Sequence, residues 1–121
     1  MTAIISDLRV TLDLSALTGS WKNTNAASKG VVTLDIAPDG PELRVTANGW
    51  ISAPAHAYSA DGFDSRQALA FNATFAHNDF DIRLQANIKA GVLVIAFLTR
   101  FHDDSGRSNT FVREFYYRSA K

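Results

Sequence analysis

Apolar and polar residues alternate with a period of two through almost the whole chain, and this restricts it to β-structure. Leu8, Val10, Leu12 and Leu14 alternate with Arg9, Thr11 and Asp13, and Val32, Leu34 and Ile36 with Thr33 and Asp35. Leu43, Val45 and Ala47 continue the pattern, and Leu69, Phe71, Ala73 and Phe75 form one face of a further strand. Phe80, Ile82, Leu84, Ala86 and Ile88 alternate with Asp81, Arg83, Gln85 and Asn87, as in a sheet with one buried and one wet face. The last strands span Gly91 to Phe101 and about Asn109 to Tyr117. Turn residues separate these runs at Pro38-Asp39-Gly40-Pro41, Asn48-Gly49, Ser59 to Gly62, His77-Asn78-Asp79, Lys89-Ala90-Gly91 and His102 to Ser108. Ile51 to Tyr58 carries Pro54, so an edge, a bulge or an irregular strand is expected there. Only Ser15-Ala16-Leu17, or Ser59 to Ser65, leaves room for a helical turn.

About eight strands joined by short turns pair antiparallel with their neighbours in sequence. An open sheet of that size leaves two long edges, and closure removes them. The expected fold is therefore all-β, a single up-and-down antiparallel β-barrel of about eight strands, with a two-sheet sandwich as the competing architecture. The 121 residues suit a single domain over 1–121, with 1–14 as an N-terminal extension or extra strand. One strand departs from alternation: Val92-Leu93-Val94-Ile95-Ala96-Phe97-Leu98 is apolar on both faces. Its outer face needs cover, either from the N-terminal segment or from a second subunit, and a homo-oligomer through 92–98 is expected.

Charge and composition narrow the function. The 12 Lys+Arg cancel 12 Asp+Glu, so nothing favours nucleic acid, whose phosphates need a clustered excess of cations. Without cysteine there is no disulfide scaffold, thiol catalysis or zinc–thiolate site, which fits a cytoplasmic protein. Met1 to Asp7 has neither the basic start nor the apolar run of a secretory signal, and Val92 to Leu98 is too short for a membrane-spanning helix. No phosphate loop, nucleophile elbow or HExxH motif is present. His102-Asp103-Asp104 reads as hairpin chemistry before Ser105-Gly106, since no second His/Asp cluster stands at ligand spacing. Neither a metal nor a cofactor is expected.

Leu17-Thr18-Gly19-Ser20-Trp21-Lys22-Asn23 resembles the opening strand of the calycins, the superfamily of lipocalins and avidin-like barrels. Ala47-Asn48-Gly49-Trp50-Ile51-Ser52 is similar to a second avidin pattern, and the order of strands and turns fits that fold over roughly residues 15–118. The resemblance implies that Gly19 bends the chain into the barrel and that Trp21 plugs its base. It also implies a basic residue stacked on Trp21. Arg113 and Arg118 are the candidates, and parity with Phe111, Phe115 and Tyr117 favours Arg113. Where avidins place a serine four residues after the asparagine, this chain has Ala27, with Ser28 one further, and only two tryptophans are available. A biotin site is not expected.

An eight-stranded barrel has room for packed side chains or one small ligand. The leading expectation is binding of a small, largely apolar molecule in the lumen, walled by Trp21, Trp50, Phe71 and Phe97, with Asn23, His56, Tyr58 and Arg113 as orienting polar groups. The alternative is a cofactor-independent cyclase or isomerase acting on a polyene or polyketide-like substrate. There His56 or Tyr58 would move a proton and Arg113 would stabilise developing negative charge. Each residue also has a plainer reading: Asn23 as a bond to backbone near the barrel end, His56 as a surface histidine, Arg113 as a structural stack. Because Arg113 and Glu114 are adjacent in one strand, one of the two points inward.

Overall fold

The computed structural model describes residues 11–59 and 66–119. Eight strands follow one another as β1 (Gly19–Asn23), β2 (Thr33–Asp39), β3 (Glu42–Ala47), β4 (Ile51–Ser59), β5 (Ala68–Ala76), β6 (Phe80–Lys89), β7 (Val92–Phe101) and β8 (Thr110–Arg118). Each pairs antiparallel with the next, and β8 returns to β1, so the sheet closes as an up-and-down barrel. Closure supersedes the sandwich. The expected extension holds no strand among its described residues: Asp13 makes one parallel bridge to Gln67, and Ser15 to Leu17 form a turn. Leu8 and Val10, and the possible helical turn over 60–65, lie outside the described residues.

The alternating apolar residues fill the lumen. Leu34, Leu43, Val45, Leu84, Leu93 and Ile95 are fully or almost fully buried, and Phe71 and Tyr116 cross the middle. Two tight turns place a glycine second, after an asparagine in one and an alanine in the other. Ala90-Gly91, the two-residue link between the paired Lys89 and Val92, carries consecutive positive φ angles of 53° and 79°, and Asn48-Gly49, with 53° and 81°, makes the turn within the three-residue link between the paired Ala47 and Ile51. Pro54 sits within β4 but faces outward, and the ladder from β4 to β5 begins only at Ala55, so its missing N–H falls beside an unpaired stretch. The irregularity expected of Ile51 to Tyr58 falls at the end of that segment, between Tyr58 and Ser59, which pair with Ala70 and Ala68. Leu69 is the extra residue, and the bulge turns Ala68 into the core in its place.

One end of the barrel is sealed by the motif around Trp21. Its indole is buried and its Nε1 donates to the Leu17 carbonyl at 3.0 Å. The Arg118 guanidinium lies 4.5 Å from the indole centroid and donates to the carbonyls of Thr18 and Ala16. The basic residue of the closure is thus Arg118 and not Arg113. Pairing sets Ile95 opposite Glu114 and Leu93 opposite Tyr116, so even-numbered residues of β8 face inward. Gly19 is required here twice over. Its φ is +127°, and a Cβ would stand 2.6 Å from Arg118 Nη1.

Replacing Gly19 by alanine is expected to cost about 1–3 kcal/mol, because strained backbone and a displaced Arg118 add together. Arg118→Met should lower stability by roughly 1–2 kcal/mol through the lost stack and carbonyl bonds. Arg113→Met should stay within about 0.5 kcal/mol. Thermal unfolding of the three variants checks the order.

Candidate functional site

Strand lengths shape the opposite end. β5 to β8 have 9, 10, 10 and 9 residues, while β1 to β3 have 5, 7 and 6. The ladder from β1 to β8 stops at Asn23↔Tyr116, and beyond one bond from Thr24 N–H to the Phe115 carbonyl the upper half of β8 has no strand partner on that side among the described residues. The ladder from β4 to β5 also ends short of the rim. A cavity opens at each incomplete seam. At the β4–β5 seam a cavity of about 230 Å³ is bounded by Ala47, Trp50, Ile51, Phe75, Phe80 and Ile82. At the β8–β1 seam one of about 360 Å³ lies between Val31, Ile82, Phe97, Val112 and Glu114. The two share Val31 and Ile82, so they belong to one mouth.

Stacked rings stiffen the high lip. His77 stacks on Phe80 with centroids 4.7 Å apart, Phe80 meets Phe101 edge-on at 5.9 Å, and Arg107 lies 4.2 Å over Phe101. Arg107 is itself held by Asp103 at 2.8 Å. Hydrogen bonds from Ser105, and then Arg107, bring the Asp103 carboxyl down to about 2. The His102-Asp103-Asp104 run therefore works as turn chemistry that positions the rim.

The polar centre of the mouth is Glu114. Its Oε1 accepts from Asn23 Nδ2 at 2.9 Å and from Ser28 Oγ at 2.6 Å. Asn23 Nδ2 also donates to the Val31 carbonyl at 3.1 Å, while its Oδ1 accepts from the Asn25 backbone at 2.8 Å, so the amide orientation is fixed by its partners. Tyr116 donates to the same Val31 carbonyl at 2.7 Å. Burial, then the nearby Glu114 charge, pushes its phenol above the ordinary tyrosine range. The loop from 24 to 32 that carries Ser28 is tied to the β3–β4 turn by Asn48. Its Oδ1 accepts from Val32 at 2.8 Å, and its Nδ2 donates to Gly30 at 3.2 Å.

The structure redistributes the residues singled out from sequence. Trp50, 77% exposed, and Phe97 line the mouth, and Asn23 reaches it through Glu114 while also bonding backbone. Trp21 belongs to the sealed end, and Phe71 is buried in the middle of the barrel. His56, Tyr58 and Arg113, expected at the lumen, point outward because Ala55 and Ala57 take the inner positions of β4, and Glu114 that of β8. His56 Nδ1 lies 3.5 Å from Glu42 on the exposed surface. Tyr58 and Arg113 do come together, in an outer-wall cavity of about 380 Å³ with Asn72, Gln85 and Asn87. There Asn72 Oδ1 is enclosed without a donor. Glu114 and Ser28 were missed. In the sequence Ser28 stands one residue beyond the family position, and adjacency in one strand requires only that either Arg113 or Glu114 point inward. The parity of Tyr116 and Arg118 was the available signal.

The outer face of β7 is half-buried along Val92, Val94, Ala96 and Leu98. Beside it, pairing sets Phe115 against Val94 and Phe111 against Leu98, both phenylalanines being exposed. Among the described residues no helix is long and apolar enough to cross a membrane. Comparison of the chain with family models, curated proteins and solved structures found no match.

Tyr116→Phe removes a buried hydrogen bond and is expected to cost about 1 kcal/mol at neutral pH. Because folding raises the phenol's pKa, the unfolded chain ionises first, near an ordinary tyrosine value of about 10. Stability is therefore fully present below that pH and declines above it. Urea unfolding as a function of pH should show a shallower alkaline decline in Tyr116→Phe than in the wild type.

Proposed function

We propose that this protein is a calycin-like barrel that binds a small, largely apolar molecule at its mouth. The observation that carries the reading is the cavity bounded by Ala47, Trp50, Ile51, Phe75, Phe80 and Ile82, which gives apolar walls to an otherwise packed lumen. The neighbouring cavity beside Phe97 and Val112 enlarges the same opening, and Glu114, Ser28 and Asn23 supply few but fixed polar groups. Gly19, Trp21 and Arg118 support the calycin likeness, since they combine the bend, the plug and the stacked base that the resemblance implies. The cyclase alternative gains no support, because His56, Tyr58 and Arg113 lie on the outer wall.

Phenylnaphthylamine, which brightens in apolar surroundings, tests the reading. Saturable binding is expected, with affinity falling roughly tenfold in Ile51→Trp, where the added ring occupies the cavity beside Trp50 and Phe75. Failure of the probe to bind, or equal binding by the filled variant, would remove the mouth as the site.

We further propose that a second copy of the chain covers the outer face of β7 and β8. Exposed Phe111, Phe115 and Tyr117 adjoin the half-buried β7 face, so one apolar patch runs across both strands. The formal charge of zero places no long-range repulsion between copies. Sedimentation should report an oligomer that Val94→Lys dissociates; a monomeric wild type, or unchanged mass in the variant, would end the proposal.

A further inference from the structure

We infer that the ligand held at this mouth carries a cationic nitrogen with N–H donors, such as an ammonium or amidinium, attached to an apolar body. The inference rests on the binding function proposed above and assigns its polar partner. Glu114 is a carboxyl group drawn inward by strand parity, and its surroundings prepare it to accept a hydrogen bond. Asn23 and Ser28 both donate to Oε1, which fixes the carboxyl plane. Oε2 receives no hydrogen bond from any described residue. It lies against Gly30, where a Cβ would stand 3.1 Å away, so the missing side chain leaves space beside it.

The second observation is charge. None of the ion pairs among the described residues includes Glu114. Lys29 borders the same cavity without forming a pair with it. The rest of the wall is apolar or hydroxylic, from Val31, Ile82, Phe97, Thr99 and Val112. A carboxylate facing such a wall gains most from a partner that brings both positive charge and donors, because charge-assisted bonds are the stronger ones and are screened less away from bulk water. An anionic ligand would meet the Glu114 carboxylate at the same point, where no ion pair holds it. A purely hydrocarbon ligand would strip water from Oε2 and return nothing.

Three probes with one aromatic body separate these cases: naphthylethylamine, naphthylethanol and naphthylacetate, titrated by calorimetry into the wild type and Glu114→Gln. The wild type should bind the amine roughly tenfold or more tightly than the alcohol, and the acetate most weakly. In Glu114→Gln, which keeps an oxygen for Asn23 and Ser28, the ratio of amine to alcohol should fall to about one. Raised salt should narrow the wild-type ratio, a measurement that needs no variant. Binding of all three with equal affinity, or a preference that survives in Glu114→Gln, would overturn the assignment while leaving the mouth as a binding site. Absence of binding by any of them would overturn the mouth itself.

Discussion

β8 closes onto β1 through three residue pairs, Trp21↔Arg118, Lys22↔Tyr117 and Asn23↔Tyr116, and both ends of the molecule follow from that short ladder. Below it, Arg118 stacks on Trp21 and caps the carbonyls of the entering chain, so a cation, an indole and a bent glycine seal the base together. Above it β1 has ended, and the upper half of β8 faces the loop from 24 to 32 where a strand would otherwise stand. A barrel closed by a longer ladder would have no edges, but it would also have no side opening. The sealed base and the open mouth are two consequences of one five-residue strand.

The mouth is built so that its polar groups satisfy one another up to a point. Asn23 bridges Glu114, Val31 and Asn25, and Tyr116 shares the Val31 carbonyl, so the loop is bound to the inner wall by side chains of β1 and β8. Such a network is costly to leave incomplete in low dielectric surroundings. Among the described residues Glu114 Oε2 stands outside it, beside a glycine and in no ion pair. On the outer wall Asn72 Oδ1 is the corresponding unsatisfied acceptor.

Much of the fold was legible in the residues. Period-two runs and turn residues set the number of strands and their order, because a strand must bury one face and a turn must tolerate positive φ. The inner face of β6 was plain, since Leu84 and Ala86 are flanked by Arg83, Gln85 and Asn87. β8 was misread. Its outer face carries Phe111, Phe115 and Tyr117, and its inner face carries Glu114 and Arg118, so the more apolar face is the exposed one. An alternation rule assigns the apolar face to the core and fails wherever the outside is apolar too. The same inversion moved Arg113 outward, while inner alanines in β4 left His56 and Tyr58 on the surface.

The sequence by itself determined an all-β chain of consecutive antiparallel strands, with a glycine and tryptophan at its entrance, because those properties depend on neighbours two or three residues apart. Only the tertiary structure decided which arginine meets Trp21, which face of β8 lines the mouth, and that Asn23, Ser28 and Glu114 converge. The Asn23–Glu114 bond joins residues 91 positions apart across the closing seam. Their register is set by how far β1 runs before it stops, which no local pattern records.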